Sequence, residues 1–263
     1  MPYMTILTAS LNSGATLART LVSIKNQSCK AIEHIVIDGG SQDETLDILK
    51  TYEASYNLIW ISETDRGIAS ALNKGLKYAR GKYILVIHAD DYLLDSHALE
   101  KARPRLKKDY DIHCFSVRFE RPAAGIRLDN LPRPLWWNRF RNIFSHQGTF
   151  IHRRVFRRIG NFNESFPISL DYDFFYRALN QGCSVKFEKI PISFMGGKGI
   201  SSDIEMRLED EFRVQKINEK NSFWRIVQLL FRVLYTPYKL RLLPKVIAAA
   251  EAKPKADNNQ LSV

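Results

Sequence analysis

The first hundred residues alternate between short, mostly apolar runs and stretches in which apolar residues recur every third or fourth position. Short apolar runs are typical of buried strands, whereas a spacing of three or four residues indicates one face of a helix. The runs predict strands at residues 3–9, 33–38, 58–61 and 83–87. The spaced positions predict helices at residues 17–27, after residue 44, and at residues 68–79.

This alternation predicts an α/β fold with a doubly wound, mostly parallel sheet, because strands separated by single helices are joined by right-handed crossovers. The second helix is expected to begin with a capping box formed by Ser41 and Glu44. Ligands of such sheets bind beyond the carboxyl ends of the strands. Asp38 and the pair Asp90 and Asp91 follow predicted strands, so they are expected at that edge.

The pattern becomes less regular after residue 120. Residues 121–141 are rich in Pro, Arg and Trp; they are too irregular to assign to helix or strand, and they are typical of a long functional loop or lid. Further elements are predicted as follows: strands at 149–152 and 184–190, and helices at 155–159 and 172–180. From residue 203 onward the pattern is helical and basic, with interruptions at Pro237 and Pro244.

Charge and cysteine content narrow the function classes. The chain carries 39 Lys and Arg against 28 Asp and Glu, a net charge of +11 that suits nucleic acid, anionic lipid or a phosphorylated small molecule. The three cysteines are far apart and without CxxC spacing, so we expect neither a zinc cluster nor disulfides, as in a reducing cytosol. The sequence shows no pattern of a signal peptide or a membrane span.

Two adjacent carboxylates after a buried strand have two interpretations. Asp90 and Asp91 either cap a helix or shape a turn, or they hold a hard cation such as Mg²⁺ or Mn²⁺ beside a phosphorylated substrate. The first strand is followed by Ala9-Ser10-Leu11-Asn12-Ser13-Gly14, which lacks the G-x-G-x-x-G of nicotinamide and flavin sites. The segment Gly196-Gly197-Lys198-Gly199 does not have the spacing of a P-loop.

Several motifs in order resemble the family-two glycosyltransferases, which are inverting enzymes with a GT-A fold that use nucleotide sugars. The motifs are Thr8-x-Ser10, "SIKNQSCKAIEHIVIDGGSQDET", "SETDRGIASALNKGLKYARGKYILVIHADD" and "SLDYDFFYRAL". Together they cover about residues 3–200. Their ordered combination is far more specific than any single motif.

The resemblance implies roles for five residues of the nucleotide half. Thr8 and Ser10 would line the nucleotide pocket, and Asp38 would accept a hydrogen bond from the base. Asp65 would lie near the base or the ribose. Lys74 would approach the phosphates, although a solvated helix lysine is an equal alternative.

The family's DxD motif falls on His88-Ala89-Asp90, where His88 replaces the first acid and leaves the usual ribose contact in doubt. The resemblance implies that Asp90 holds the metal, with Asp91 as the second candidate. A divalent ion would stabilise the charge that develops on the departing diphosphate.

The resemblance also implies a catalytic base, Asp171, which would take the proton from the acceptor hydroxyl. Leu170 stands where an acidic neighbour often occurs in the family. The alternative is that Asp171 or Asp173 caps the helix, and we expect Asp173 to pair with Arg177 four residues later. His146, in "SHQGTF", would lie near the diphosphate or the acceptor, or be a structural residue.

The C-terminal residues predict contact with a lipid surface. Residues 223–247 mix apolar side chains with basic ones, and Arg225, Gln228 and Arg232 fall on one stripe of a helix, as in helices that lie in a membrane interface. The alternative is packing against the catalytic domain or a second subunit. Trp136 and Trp137 would form an acceptor lid, because aromatic faces stack on sugar rings.

The sequence therefore predicts a cytoplasmic glycosyltransferase, peripheral on the inner face of the membrane, that transfers a sugar from a nucleotide donor to a lipid-linked glycan in surface polysaccharide synthesis. Its expected parts are a catalytic domain at 1–202, with a nucleotide half at 1–110 and an acceptor half at 111–202, a basic helical region at 203–252 and a disordered tail at 253–263. The rival hypotheses are a sugar nucleotidyltransferase and a basic nucleic-acid-binding protein; we expect no nucleic acid partner.

Overall fold

The computed structural model describes residues 1–121, 126–130, 132–196 and 203–242. Within them the strands, in chain order, are β1 Met4–Ser10, β2 Ile32–Asp38, β3 Leu58–Ser62, β4 Tyr83–Val86, β5 Tyr92–Leu93, β6 Ile112–Arg121, β7 Ile126–Asp129, β8 Thr149–His152 and β9 Val185–Met195. The helices are α1 Gly14–Lys25, α2 Thr45–Tyr52, α3 Ile68–Tyr78, α4 Ala98–Ala102, α5 Arg153–Ile159, α6 Leu170–Asn180, α7 Ile204–Asn218 and α8 Ser222–Pro237. Short 3-10 helices lie at Arg103–Arg105, Leu135–Arg139 and His146–Gly148.

The strands form one sheet in the order β3-β2-β1-β4-β8-β6-β9-β5, and β7 pairs with β6. Every residue of β2 and β4 is buried, because apolar clusters cover both faces of the sheet. Helices α1, α2 and α4 pack on one face, and α3, α5 and α6 on the other. Successive strand side chains point to opposite faces, so unbroken apolar runs fill both clusters. The predicted doubly wound α/β fold is confirmed.

Strand direction decides where the strand ends meet. β3, β2, β1 and β4 are parallel, and Ser10 is paired with Asp38 at the carboxyl ends of β1 and β2. β8 runs antiparallel to both β4 and β6, whereas β6 and β9 are parallel to each other. β4, β6 and β9 therefore point the same way. The residues after β9 reach the same edge as those after β4, and the second half of the sheet is mixed.

Two local predictions are wrong. The capping box is absent: Glu44 is the N-cap residue of α2 without a side-chain cap bond, and the hydroxyl of Ser41 instead donates to Asp38. The segment 121–141 is not one irregular loop, since it contains β7 and the 3-10 helix Leu135–Arg139. Strand β7 has only four residues, too few to give a clear apolar pattern in so basic a segment.

Helix α8 packs on the rest of the chain through the stripe that contains Gln228. Gln228 is buried, and its amide donates to the carbonyl of Arg139 and to the Tyr176 hydroxyl. Arg225 donates to the carbonyl of Glu219. Arg225 and Arg232, on the same stripe, are nevertheless exposed. None of the helices in the described ranges is long and apolar enough to cross a bilayer.

Candidate active site

Four side chains from three distant segments meet at the carboxyl edge of the sheet. The Nε2 atom of His146 lies 3.8 Å from Asp91 Oδ2, and its Nδ1 atom lies 3.6 Å from Asp171 Oδ2. The ring of His88 stands edge-on to that of His146, with 4.6 Å between the ring centroids. The structure thus brings the loop after β4, the His146–Gly148 turn and the first turn of α6 together.

The two histidines of this cluster carry different charges. Burial alone would lower the pKa of His146, but the carboxylates of Asp171 and Asp91 raise the pKa to about 9. Burial and the neighbouring His146 lower the pKa of His88 to about 4. At neutral pH, His146 is therefore an imidazolium between two carboxylates, and His88 is neutral.

The pKa values of the neighbouring carboxylates Asp91 and Asp90 are shifted in opposite directions. Asp91 is buried, and it accepts hydrogen bonds from the backbone N–H groups of Gly196 at 2.8 Å and His88 at 3.3 Å. Although burial alone would raise it, the pKa of Asp91 is lowered by His146 and these donors. The pKa of Asp90 is raised by burial and by the Asp91 carboxylate. Two adjacent carboxylates at one strand end repel each other, and a cation would relieve that repulsion.

The residues fit a divalent cation that is held mainly by its substrate. The described residues contain no group of three or more His, Cys, Asp or Glu side chains placed to hold a metal. Mg²⁺ is commonly bound through one or two carboxylates and the phosphates of a nucleotide. No other described side chain donates to the carboxylate of Asp90, whereas both oxygens of Asp91 already accept N–H groups. Asp90 therefore fits such an ion better than Asp91.

The predicted base-binding residue, Asp38, lies inside its own loop. Its side chain is fully buried, and it accepts hydrogen bonds from the N–H groups of Gly40 and Ser41 and from the hydroxyls of Ser41 and Ser62. A direct contact with a base would require one of these donors to move. In the structure Asp38 shapes the turn that follows β2.

Thr8 and Ser10 lie in the last residues of β1. Thr8 is buried; its hydroxyl donates to the carbonyl of Ile87 at 2.6 Å and lies 2.8 Å from His34 Nε2. Since the hydroxyl has one hydrogen, His34 must donate to it. The hydroxyl of Ser10 is buried without a hydrogen-bond partner. An unpaired buried hydroxyl is unusual and is consistent with a ligand contact.

Asp65 and Lys74 lie beside the turn that follows β2. Asp65 accepts the N–H of Gly67 at 2.7 Å, and its other oxygen lies so close to Gly39 that a Cβ there would be 3.1 Å away. The ammonium of Lys74 lies 2.9 Å from Glu63 and donates to the carbonyl of Thr64 at 3.2 Å. Lys74 therefore ties α3 to the loop after β3 rather than pointing freely into solvent.

Asp171 occupies the first turn of α6. Its Oδ2 atom accepts the side-chain amide of Asn142 at 2.9 Å, and about a quarter of its side chain is exposed, at 23%. Asp173 is buried and pairs with Arg177 at 2.8 Å, which confirms that prediction. Ser169 is the N-cap residue, so neither acid caps the helix.

Three residues of the site were not predicted. Asn142 holds Asp171, Gly196 donates to Asp91, and Arg19 donates from α1 to the carbonyl of Asp90 at 3.1 Å. A Cβ on Gly196 would lie 2.6 Å from Asp90 Oδ2, so only a glycine allows this approach. The doublet Gly196-Gly197 was visible in the sequence as a turn signal, but Asn142 had no signal that set it apart.

Comparisons with known proteins give the family and the fold. The pattern of the family described as "Glycosyl transferase family 2" matches residues 5–164. A curated relative, the "PGL/p-HBAD biosynthesis glycosyltransferase" of Mycobacterium bovis, is 31% identical over 188 residues, which cover 68% of this chain and 70% of the relative.

Two solved structures share the fold. Residues 1–349 of S. aureus TarS, in complex with UDP-GlcNAc, match with a TM-score of 0.67 at 17% identity, covering 94% of this chain and 78% of TarS. The mannosyltransferase PcManGT from Pyrobaculum calidifontis, in complex with GDP-Man and Mn²⁺, also gives a TM-score of 0.67 at 17% identity, covering 97% of this chain and 76% of that one. These likenesses confirm the predicted fold.

Proposed function

Because this chain belongs to glycosyl transferase family 2, we propose that it is an inverting enzyme that moves a sugar from a nucleoside diphosphate donor to a hydroxyl group of a glycan. UDP is the favoured nucleotide, and the TarS complex with UDP-GlcNAc supports it. The mycobacterial relative acts in PGL/p-HBAD biosynthesis, and its role there supports a lipid-linked acceptor in surface glycan synthesis. This proposal includes the division into a nucleotide half at 1–110 and an acceptor half at 111–202.

One observation carries the proposal: a carboxylate for the donor and a carboxylate for the acceptor face each other across His146. Asp91, next to Asp90, lies on one side of the imidazolium, and Asp171 lies on the other. An inverting displacement needs its base on the face of the sugar opposite the leaving diphosphate. The charged His146 lowers the pKa of Asp91, and Asp171 on its other side is placed to accept the proton of the attacking hydroxyl.

On the donor side, the diphosphate gains charge as the bond to the sugar breaks. A divalent cation, bound at Asp90, would supply an electrophile for that charge. The positive charge of His146 lies in the same cluster, and it favours the departing anion. Backbone rigidity comes from the Thr8 hydroxyl, which holds the carbonyl of Ile87 at the start of the loop.

The test is a screen of nucleotide sugars for hydrolysis and transfer that depend on Mn²⁺ or Mg²⁺. Asp90→Asn should abolish cation-dependent hydrolysis, whereas Asp171→Asn should lower transfer by about 1000-fold and leave nucleotide binding intact. Asp47→Asn is the matched control, since Asp47 is an exposed acid on α2 whose contacts within the described residues are to Lys50 and Thr51 of the same helix. Persistent hydrolysis in Asp90→Asn would reject the metal assignment, and full transfer by Asp171→Asn would reject the base.

The outer face of α8 supports association with an anionic lipid surface. We call this face the outer row; each of its side chains is 59% to 76% exposed. The outer row consists of Phe223, Ile226, Leu229, Leu230, Val233 and Leu234. Residues 220–247 carry six basic residues and no acid, so charge favours an anionic surface over a neutral one. The inner face packs on the chain itself, so the alternative of internal packing holds for that face alone.

The acceptor lid is the least supported part. Trp136 is 55% exposed, whereas Trp137 packs on Phe140 and on Phe231 of α8. Trp136 also contacts Trp137 and Phe140, but it keeps the larger exposed surface for stacking on a sugar ring. Its neighbour Trp137 contacts α8, so a lipid-linked acceptor would meet Trp136 near that helix.

Vesicle sedimentation tests the outer row. The double variant Leu230→Gln/Leu234→Gln should bind vesicles with anionic headgroups at least 10-fold more weakly than the natural chain. Met206→Gln, at an exposed apolar position on α7, is the control and should bind normally. If the natural chain does not bind vesicles and is a dimer, and the double variant is a monomer, the outer row is a subunit interface.

A further inference from the structure

We propose that helix α7 positions Asp171, through the adjacent side chains of Asp210 and Glu211. The inference rests on the proposed role of Asp171 as the acceptor base. α7 lies beyond residues 5–164, the part of the chain that matches the family. The described geometry thus assigns part of the catalytic apparatus to the C-terminal helices.

Asp210 fixes the backbone immediately before α6. Its Oδ2 atom accepts the N–H groups of Ile168 at 3.1 Å and Ser169 at 2.8 Å. Ser169 is the N-cap of α6 and makes no side-chain cap bond, so a carboxylate from α7 supplies an acceptor at this helix start. A negative charge at the N-terminus of a helix is also favoured by the helix dipole. Asp171 follows two residues later, in the first turn.

Glu211 acts on the other side of Asp171. Its carboxylate contacts the guanidinium of Arg141, with Nε to Oε2 at 2.7 Å and Nη2 to Oε1 at 3.1 Å. The next residue, Asn142, donates its amide to Asp171 Oδ2. The Tyr235 hydroxyl of α8 also accepts from Arg141, so α8 joins the same contact. Two neighbouring acids of α7 therefore hold the two segments that define where the carboxylate of Asp171 lies.

The composition of the buried face of α7 favours a positioning role over simple packing. A helix that only fills space buries an apolar stripe. Apart from Leu208 and Val214, the buried side chains of α7 are polar or charged: Asp210, Glu211, Gln215 and Asn218. Gln215 donates to the carbonyl of Phe140 and to the Tyr172 hydroxyl, and Asn218 donates to Asp173. Buried polar networks of this kind fix one geometry, because a displaced member loses its partners.

The test compares Asp210→Ala with Asp203→Ala in the full chain. Asp203 caps α7 itself, through Met206 N–H, and touches no residue of α6, so its loss weakens the same helix without cutting the link. For Asp210→Ala we expect kcat for transfer to fall at least 30-fold with the donor KM within twofold. Asp203→Ala should keep kcat within twofold. Asp210→Asn retains an oxygen that can accept from Ile168 and Ser169, and it should recover kcat to within fivefold of the natural chain.

Hydrogen exchange of the amides at 168–172 gives a readout that does not depend on activity. Asp210→Ala should raise exchange there at least 10-fold, whereas Asp203→Ala and Asp210→Asn should not. Unchanged exchange in a folded Asp210→Ala protein, or equal loss of kcat in both alanine variants, overturns the inference. If Asp171→Asn keeps full activity, the base assignment fails instead, and exchange at 168–172 still decides whether α7 holds this segment.

Discussion

The turn that holds Asp38 and the cluster around His146 are built from contacts of different range along the chain. Asp38 accepts most of its hydrogen bonds from Gly40 and Ser41, two and three positions later, and one from Ser62. In the cluster around His146, Asp171 is held by Asn142, 29 residues away in sequence, and Asp91 is held by Gly196, 105 residues away. The turn is shaped mostly by its own residues, and the cluster by the packing of distant segments.

This difference predicts whether a substitution lowers mainly stability or mainly activity. A turn that satisfies its own carboxylate is rigid before any ligand arrives, so its loss should appear mainly as lost stability. A carboxylate that depends on distant segments can move without unfolding the chain, so disturbing those segments should appear mainly as lost activity. The following substitutions test that division.

Gly196→Ala should have the largest effect. The new Cβ would lie 2.6 Å from Asp90 Oδ2 and 2.8 Å from the Asp90 carbonyl oxygen, so the strand end must move away. The hydrogen bond from Gly196 N–H to Asp91 then breaks. Because a displacement of about 1 Å at a reacting group can cost about 100-fold in rate, we expect donor hydrolysis and transfer to fall by at least that factor.

The neighbouring variant Met195→Ala is the control for Gly196→Ala. Met195 is an exposed β9 residue, and its truncation leaves the space beside Asp90 unchanged. Steady-state kinetics should show near-natural rates for Met195→Ala. Normal rates in Gly196→Ala would mean that the position of Asp90 is not critical. They would contradict the expectation that disturbing distant segments lowers activity.

Asp38→Asn should act mainly on stability. The amide would turn an N–H₂ group toward hydrogen-bond donors, and hydrogen bonds to a charged group contribute about 1.5 to 3 kcal/mol. We expect the free energy of unfolding in urea to fall by about 2.5 kcal/mol, while kcat of the remaining folded protein stays within about threefold. The control Asp47→Asn, at an exposed acid, should change the free energy of unfolding by less than about 0.5 kcal/mol. A large fall in kcat without loss of stability would place Asp38 against the substrate after all.

His146 lies between Asp91 and Asp171, and its effect should depend on pH. The folded pKa of about 9 lies above the usual value of 6.5, so the charged ring contributes stability fully below pH 6.5 and loses it as pH rises through 9. The unfolding free energy of the natural chain should exceed that of His146→Gln by on the order of 2 kcal/mol at pH 6, and the gap should close by about pH 9.5. A gap that stays constant between these pH values would contradict the ion pairs.

The contrast in contact range also explains what the sequence could predict. The strands, the helices on both faces and the placement of Asp38 and Asp90 at one edge follow from local apolar patterns. The link between His146 and both carboxylates depends on β8 running antiparallel between β4 and β6, and no local pattern encodes that pairing. His146, Asp91 and Asp171 were each predicted from a separate motif, without the contact between them.

The helices α7 and α8 show more clearly what cannot be predicted from the sequence. Burial is usually predicted from hydrophobicity, and here that rule fails in both directions. Buried Asp210 and Glu211 of α7 look like surface residues in the sequence, while Leu230 and Leu234 of α8 look like core residues and are exposed. Only the tertiary partners decide which residues are inside.

Thr8→Val should have the smallest effect, and it tests a buried hydroxyl of β1 in the nucleotide half. Valine has nearly the shape of threonine, so the substitution removes the donor to the Ile87 carbonyl and the acceptor of the His34 N–H without creating a cavity. An unpaired buried group costs about 1 to 3 kcal/mol, and relaxation of the His34 ring toward Tyr56 places the expected loss near 1 kcal/mol. If Thr8 only shapes the loop before His88, urea unfolding will show that loss and the affinity for a nucleoside diphosphate will change less than threefold. A 10-fold weaker affinity with unchanged stability would instead show that the hydroxyl contacts the nucleotide.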